Sequence, residues 1–195
     1  GGDVKEYEAL YTTKPRDYWK DMGLFQAYIE SIVNSGKPVV ARLNGMAVGG
    51  GNESQMACDL AVMAEHAWIG QVGTRVGSVA AGAREMLLFN GQIPSQQCLD
   101  WGLVNRVAPS VTKDGDFIEG ASAEQIKKAQ KGEDGFAIDL SKLDEGVDDL
   151  CEKLLLQFSE CARYTKQQVN YWKDMAWHGT IGHARDWLLT HYTSQ

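Results

Sequence analysis

The stretch from Pro38 to Asp59, PVVARLNGMAVGGGNESQMACD, constrains this chain more than any other. It opens with an apolar run, Val39-Val40-Ala41-Arg42-Leu43, bounded by Pro38 and the turn pair Asn44-Gly45, and this reads as a buried strand. Met46-Ala47-Val48 follows, then the consecutive glycines Gly49-Gly50-Gly51, then Asn52-Glu53 and the helix-compatible Ser54-Gln55-Met56-Ala57-Cys58. The order is strand, glycine turn, helix start, which belongs to an α/β architecture. Successive glycines let a backbone approach a ligand closely and take conformations barred to other residues. A helix starting there directs unpaired N–H groups and the positive end of its dipole at whatever lies in front. Donors of this kind build an oxyanion hole for acyl-transfer or enolate chemistry. The same turn equally serves close packing of strand on helix, and the residues alone leave both uses open.

With 195 residues the chain is long enough for one domain with a real core. A net charge of −7 argues against nucleic acid or an anionic membrane as the main partner. No apolar run approaches the roughly 20 residues of a membrane span. Cys58, Cys98, Cys151 and Cys161 have no metal-like spacing and sit mostly in apolar periodic segments. They are expected to be reduced core thiols in a cytoplasmic protein. His178 and His183 do not share a helical face, and no third ligand accompanies them, so no metal site is expected.

Along the chain, Pro15 suits a helix first turn, and Met22, Phe25, Tyr28, Ile29, Ile32 and Val33 recur at helical spacing as a core face, with Gly36 as a stop. Short strands are expected at Leu60–Ala64 and Trp68–Gln71. The glycine-rich GQVGTRVGS, Gly70 to Ser78, reads as a site-lining loop, and Ala83–Leu88 as a helix start. Ser95 reads as an N-cap for a helix ending at Gly102, followed by a strand Leu103–Val107. Residues 110–140 turn polar around Lys113-Asp114-Gly115-Asp116 and the Lys/Gln-rich Ser122–Lys131, which reads as a surface insertion. A long helix starts at Ser141, capped by Ser141 with Asp144, with Leu143, Val147, Leu150, Leu154, Leu155 and Phe158 as its apolar face. Further helices are expected from Tyr164 to Trp172 and from Ile181 to Tyr192. Trp172, Trp177 and Trp187 read as packing residues.

Two motifs carry a resemblance. The run Asn44-Gly45-Met46-Ala47-Val48-Gly49-Gly50-Gly51-Asn52-Glu53, ending in Met56-Ala57-Cys58-Asp59, resembles the signature of the crotonase (enoyl-CoA hydratase/isomerase) superfamily. The opening Gly2-Asp3-Val4-Lys5-Glu6 resembles that family's other oxyanion loop. The resemblance implies an α/β fold, the crotonase ββα spiral with C-terminal helices. Its divisions here are a core over 1–109 lacking some N-terminal part, an insertion over 110–140 and a helical region over 141–195. Missing segments before Gly1, between Ser78 and Ala83, and after Gln195 are implied in the same way.

The loop GQxGxxxGS narrows the resemblance. Ordinary hydratases of the family carry a second catalytic glutamate where this chain has Gly73. The pattern is instead similar to the subgroup that holds dihydroxynaphthoyl-CoA synthase, 2-ketocyclohexanecarboxyl-CoA hydrolase and 6-oxocyclohex-1-ene-1-carbonyl-CoA hydrolase. The resemblance therefore implies an acyl-CoA enzyme that opens the ring of a cyclic oxo-acyl-CoA through an enolate. An enoyl-CoA hydratase or dehydratase and a non-catalytic acyl-CoA-binding protein are the alternatives. Gly2 and Gly50 would donate to the thioester oxygen, and Glu53 would act as general acid/base. Asp3, Lys5, Asn52, Gln71, Gly73 and Tyr192 would line the substrate. Lys166 sits either near the CoA phosphates or in solvent. No cofactor is expected, since coenzyme A is part of the substrate. The family implies a homotrimer or homohexamer.

Overall fold

In the computed structural model, which describes residues 4–6, 9, 13–71 and 91–193, the chain alternates between two sheets. Strand β1 (Val40–Leu43) enters the first sheet and β2 (Ala47–Val48) the second; helix α3 (Gly50–Ala57) then returns the chain to β3 (Leu60–Ala64) in the first and β4 (Trp68–Gly70) in the second. Two helices precede them, the one-turn α1 (Val4–Glu6) and the long α2 (Pro15–Val33). After residue 91 come β5 (Gln92–Pro94) in the second sheet, α4 (Ser95–Asp100), and β6 (Arg106–Ala108) in the first. The first sheet, ordered β1-β3-β6, is parallel throughout. In the second, β2 and β4 are parallel and β5 runs antiparallel to β4. A strand pair that splits between two sheets before each helix is the ββα spiral expected from the sequence.

Parallel strands covered on both faces need apolar side chains at successive positions. Val62, Met63 and Ala64 of β3 are accordingly all sealed from solvent. They share a core with Leu43, Ile69, Cys98 and Leu143, the last from α6 (Ser141–Leu155). Two ion pairs align that helix on the first sheet: Arg42 Nε with Asp144 Oδ1, and Arg106 Nη1 with Asp149 Oδ2, both at 2.5 Å.

Residues 110–140 are more ordered than their polarity suggests. Strands β7 (Val111–Lys113), β8 (Asp116–Ile118) and β9 (Phe136–Ile138) form an antiparallel sheet ordered β8-β7-β9. Helix α5 (Ala123–Lys131) packs on it around Val111, Ala129 and Phe136. Ser122 and Gln125 make a reciprocal capping box at its start, and Gly132 in the left-handed conformation ends it.

Several local expectations need correction. Helix α4 begins at Ser95 itself, whose hydroxyl donates to the Glu65 carbonyl at 2.6 Å instead of capping, and the next strand starts at Arg106, not Leu103. No side chain caps α6: Asp144 is taken by Arg42, and Asp139 accepts the Ser141 amide. Leu155 and Phe158, expected on its apolar face, are exposed. Of the α2 stripe, Ile29 is buried but Tyr28 is half exposed. The two C-terminal helices are one, α7 (Ser159–Thr193). Cys161 is exposed, so not every cysteine is a core thiol. No helix among the described residues is long and apolar enough to cross a membrane.

Candidate active site

Helix α3 is short, and both of its ends are held. At its start, Gly49 has φ 56° and ψ −123°, a conformation open essentially to glycine alone. The Gly49 amide donates to the Gly70 carbonyl at 3.3 Å, tying the turn to the end of β4. Gly49 has no side chain to cap the helix, so the amides that follow it lack the side-chain acceptor found at most helix starts. A Cβ on Gly50 would come within 3.1 Å of the Phe25 ring, whereas one on Gly51 meets no described atom within 4 Å. A side chain at Gly50 would press on the Phe25 ring of α2, and among the described residues the Gly51 side of the helix end is clear.

At the other end, Lys173 Nζ donates to the carbonyls of Met56 at 3.1 Å and Cys58 at 3.4 Å, a cation at the negative end of the dipole. Asp59, just beyond, accepts from the Val39 amide and from Asn170 Nδ2, and pairs with Lys166 Nζ. Lys166 Nζ also donates to the carbonyls of Ile32 and Lys37. It is therefore neither at a phosphate site nor in solvent: it is a buried fastener joining α7 to α2 and to the approach to β1.

Within the first turn Glu53 is half-buried and its amide closes the first helical bond, to the Gly49 carbonyl at 3.0 Å. Asn52 is fully buried, and Gln55 Nε2 donates to its Oδ1 at 3.0 Å. Gln71, also fully buried, follows Gly70, whose carbonyl accepts the Gly49 amide. The turn before β2 is pinned from outside: His66 Nε2 lies 3.2 Å from the Asn44 carbonyl and its Nδ1 lies 2.7 Å from Ser110 Oγ. These contacts suit the neutral ring with the proton on Nε2, and burial pushes the His66 pKa below its ordinary value.

A family model described as enoyl-CoA hydratase/isomerase matches residues 1–132. The chain belongs to the enoyl-CoA hydratase/isomerase (crotonase) family. Among curated relatives, this crotonase is 30% identical over 228 residues to 6-oxocyclohex-1-ene-1-carbonyl-CoA hydrolase of Thauera aromatica, covering 96% of this chain and 59% of that one. It is 30% identical over 222 residues to the enzyme of the same name from Geobacter metallireducens, covering 96% and 58%. The chain thus spans less than two thirds of the length of these relatives. The crystal structure of an enoyl-CoA hydratase/isomerase from Mycobacterium paratuberculosis superposes with a TM-score of 0.74 at 20% identity, covering 99% of this chain and 70% of that one.

Of the residues singled out from the sequence, Gly50, Asn52 and Glu53 share the first turn of α3, and Gln71 follows the last residue of β4, whose carbonyl accepts the Gly49 amide. Lys5 is exposed on α1. Gly2, Asp3 and Gly73 lie outside the described residues, as do the helix expected at Ala83–Leu88 and the side chain of Tyr192, a residue of α7. Among the described residues no three His, Cys, Asp or Glu are grouped to hold a metal ion. Phe25 reads from the sequence only as part of the α2 core face, and Gln55 and His66 are not singled out there as site residues. Only Gln55 left a signal, its i,i+3 spacing from Asn52 on one helix face.

Proposed function

We propose that this crotonase is an acyl-CoA enzyme that opens the ring of a cyclic oxo-enoyl thioester. The observation that carries the reading is the α3 start: a helix terminus behind Gly49 without a side-chain cap, with no described atom within 4 Å of a Cβ on Gly51 and with a carboxylate, Glu53, in its first turn. The amide of Gly50, with that of Gly2 as second donor, would hold the thioester oxygen. Such donors act on the enolate more than on the ground-state carbonyl, and so lower the barrier instead of only tightening binding.

The chemistry runs in two hydrolytic stages. Water adds its oxygen to the β-carbon of the double bond, the π-electrons pass to the thioester oxygen as an enolate, and the α-carbon takes a proton. A second water adds to the ring ketone. The bond between that carbon and the α-carbon then breaks, its electron pair returns to the thioester as the same enolate, and the α-carbon is protonated. The former ketone carbon becomes the terminal carboxylate of the opened chain. Glu53 is the group placed to move protons in both stages. The names of the relatives support the substrate, and Gly73 in place of a second glutamate argues against simple hydration. The exposed stripe Tyr164, Tyr171, Trp172 and Met175 along α7 supports assembly with further copies of the chain.

The test is incubation with 6-oxocyclohex-1-ene-1-carbonyl-CoA and, separately, crotonyl-CoA, with products read by mass. Gain of two waters by the cyclic ester is expected. Gain of one water by crotonyl-CoA alone would replace this reading with that of a hydratase, and no change in either would leave a binding protein.

A further inference from the structure

The α3 end holds polar groups that a thioester oxygen does not use. Gln55 fixes the Asn52 amide by donating to Oδ1, and this leaves Asn52 Nδ2 a buried donor with no hydrogen-bond partner. Gln71 is fully buried, and among the described residues neither its Nε2 nor its Oε1 has a hydrogen-bond partner. Buried amides are nearly always satisfied, because a group stripped of water and given nothing back destabilises the fold. Here two donors and one acceptor go unmet, one in the first turn of α3 and two on the residue that follows Gly70, the acceptor of the Gly49 amide. That is the reverse of what packing alone selects, and it marks groups held for a ligand.

We propose that Asn52 and Gln71 form a receptor for a second, neutral oxygen on the acyl group, a ketone or hydroxyl distinct from the thioester carbonyl. The oxygen accepts from Asn52 Nδ2 and Gln71 Nε2, and Gln71 Oε1 takes the hydrogen of a hydroxyl or of the attacking water. Amides carry no charge to offset a buried ion, which favours these groups over a carboxylate. Gln55 is a positioning residue, acting through Asn52. The inference rests on the acyl-CoA reading above and adds the feature by which substrates are told apart. A hydrocarbon acyl chain leaves all three groups unmet, and an oxygenated one meets them. A site built to hydrogen-bond an oxygen disfavours the analogue lacking it, because the site's own buried groups then stay unmet.

The experiment uses two stable thioethers of coenzyme A, S-[(2-hydroxycyclohexyl)methyl]-CoA and S-(cyclohexylmethyl)-CoA, which carry no thioester carbonyl and undergo neither hydration nor ring opening. Calorimetric titration of the whole protein is expected to give a Kd about tenfold lower for the hydroxy compound. In Gln71→Met that ratio falls to about one while the plain thioether binds as before. In Gln55→Met the ratio falls although Asn52 is intact. The unliganded Gln71→Met protein is expected to melt at a higher temperature than wild type, since an orphaned amide is replaced by an apolar chain; a merely structural Gln71 would lower it. Equal Kd values for the two thioethers in wild type, or a ratio that survives Gln71→Met, would overturn the proposal while leaving the acyl-CoA reading intact. Failure of both thioethers to bind would overturn both. Loss of ring opening with the ratio retained would overturn only the reaction.

Discussion

Lys166 Nζ lies 2.9 Å from Asp59 Oδ2, with side-chain exposures of 3% and 12%. Through this pair the last helix, α7, grips the residue that follows α3, so the helix carrying the candidate site is anchored by a segment more than a hundred residues downstream. Replacing Lys166 by Met leaves the Asp59 carboxylate buried beside only the Val39 amide and Asn170. Breaking a buried pair from one side costs about 3–5 kcal/mol. Urea denaturation of Lys166→Met is expected to show a loss of that order, and a loss below about 0.5 kcal/mol would mean the pair is dispensable.

Gly49→Ala forces a Cβ into a backbone conformation that only glycine holds without strain. The expected destabilisation is about 1–3 kcal/mol, because the Gly49–Gly70 hydrogen bond over-determines the turn. Turnover should fall further than stability, since the amide of Gly50 moves with the turn; loss of one oxyanion donor costs about 10²–10³ in rate. Comparing melting temperature with kcat separates the two effects.

His66 makes stability pH-dependent. Burial holds its folded pKa below the ordinary value of 6.5, so the unfolded chain binds a proton that the folded one refuses. Stability contributed by neutral His66 is therefore complete above about pH 6.5 and is lost as pH falls toward the folded pKa. A His66→Gln variant keeps a donor for Asn44 and cannot titrate. Its stability deficit relative to wild type should shrink as pH is lowered from 7.5 to 5.5, and a deficit independent of pH would exclude His66 as the sensor.

Thiol reactivity should separate the cysteines. Cys98 is sealed in the core and burial pushes its thiol up to about 11, whereas Cys161 is exposed on α7. Alkylation of the native protein near neutral pH, read by mass after digestion, is expected to label Cys161 and to reach Cys98 only after unfolding. Early labelling of Cys98 would show that the core around Ile93 and Ile69 opens readily.

What was legible in the sequence was local. The strand at Val40, the glycine turn and the start of α3 follow from adjacent residues, and so the placement of Gly50, Asn52 and Glu53 on one turn was readable. The sheet of residues 110–140 was not, because strands of three residues are too short to show a period, and Val111 pairs with Ile138 far along the chain. From the sequence the last helix reads as two, Tyr164 to Trp172 and Ile181 to Tyr192; Gly179 and Gly182 near the expected gap each cost only about 1 kcal/mol relative to alanine and need not interrupt α7. Phe158 continued the apolar spacing past Leu155, where α6 ends, and so the spacing outlived the helix that gave it meaning. Lys166 was misread for a different reason: its acceptors are two carbonyls and a carboxylate from distant segments, and nothing near it in sequence names them.

The central claim is that backbone amides at the start of α3 polarise a thioester carbonyl. The most direct measurement is the infrared band of that carbonyl, isotopically labelled at carbon, in bound cyclohexanecarbonyl-CoA, an ester with no double bond or ring ketone to react. The account predicts a band at lower frequency than in water, returning toward the aqueous position in Gly49→Ala. A bound ester whose carbonyl absorbs where it does in water would contradict it.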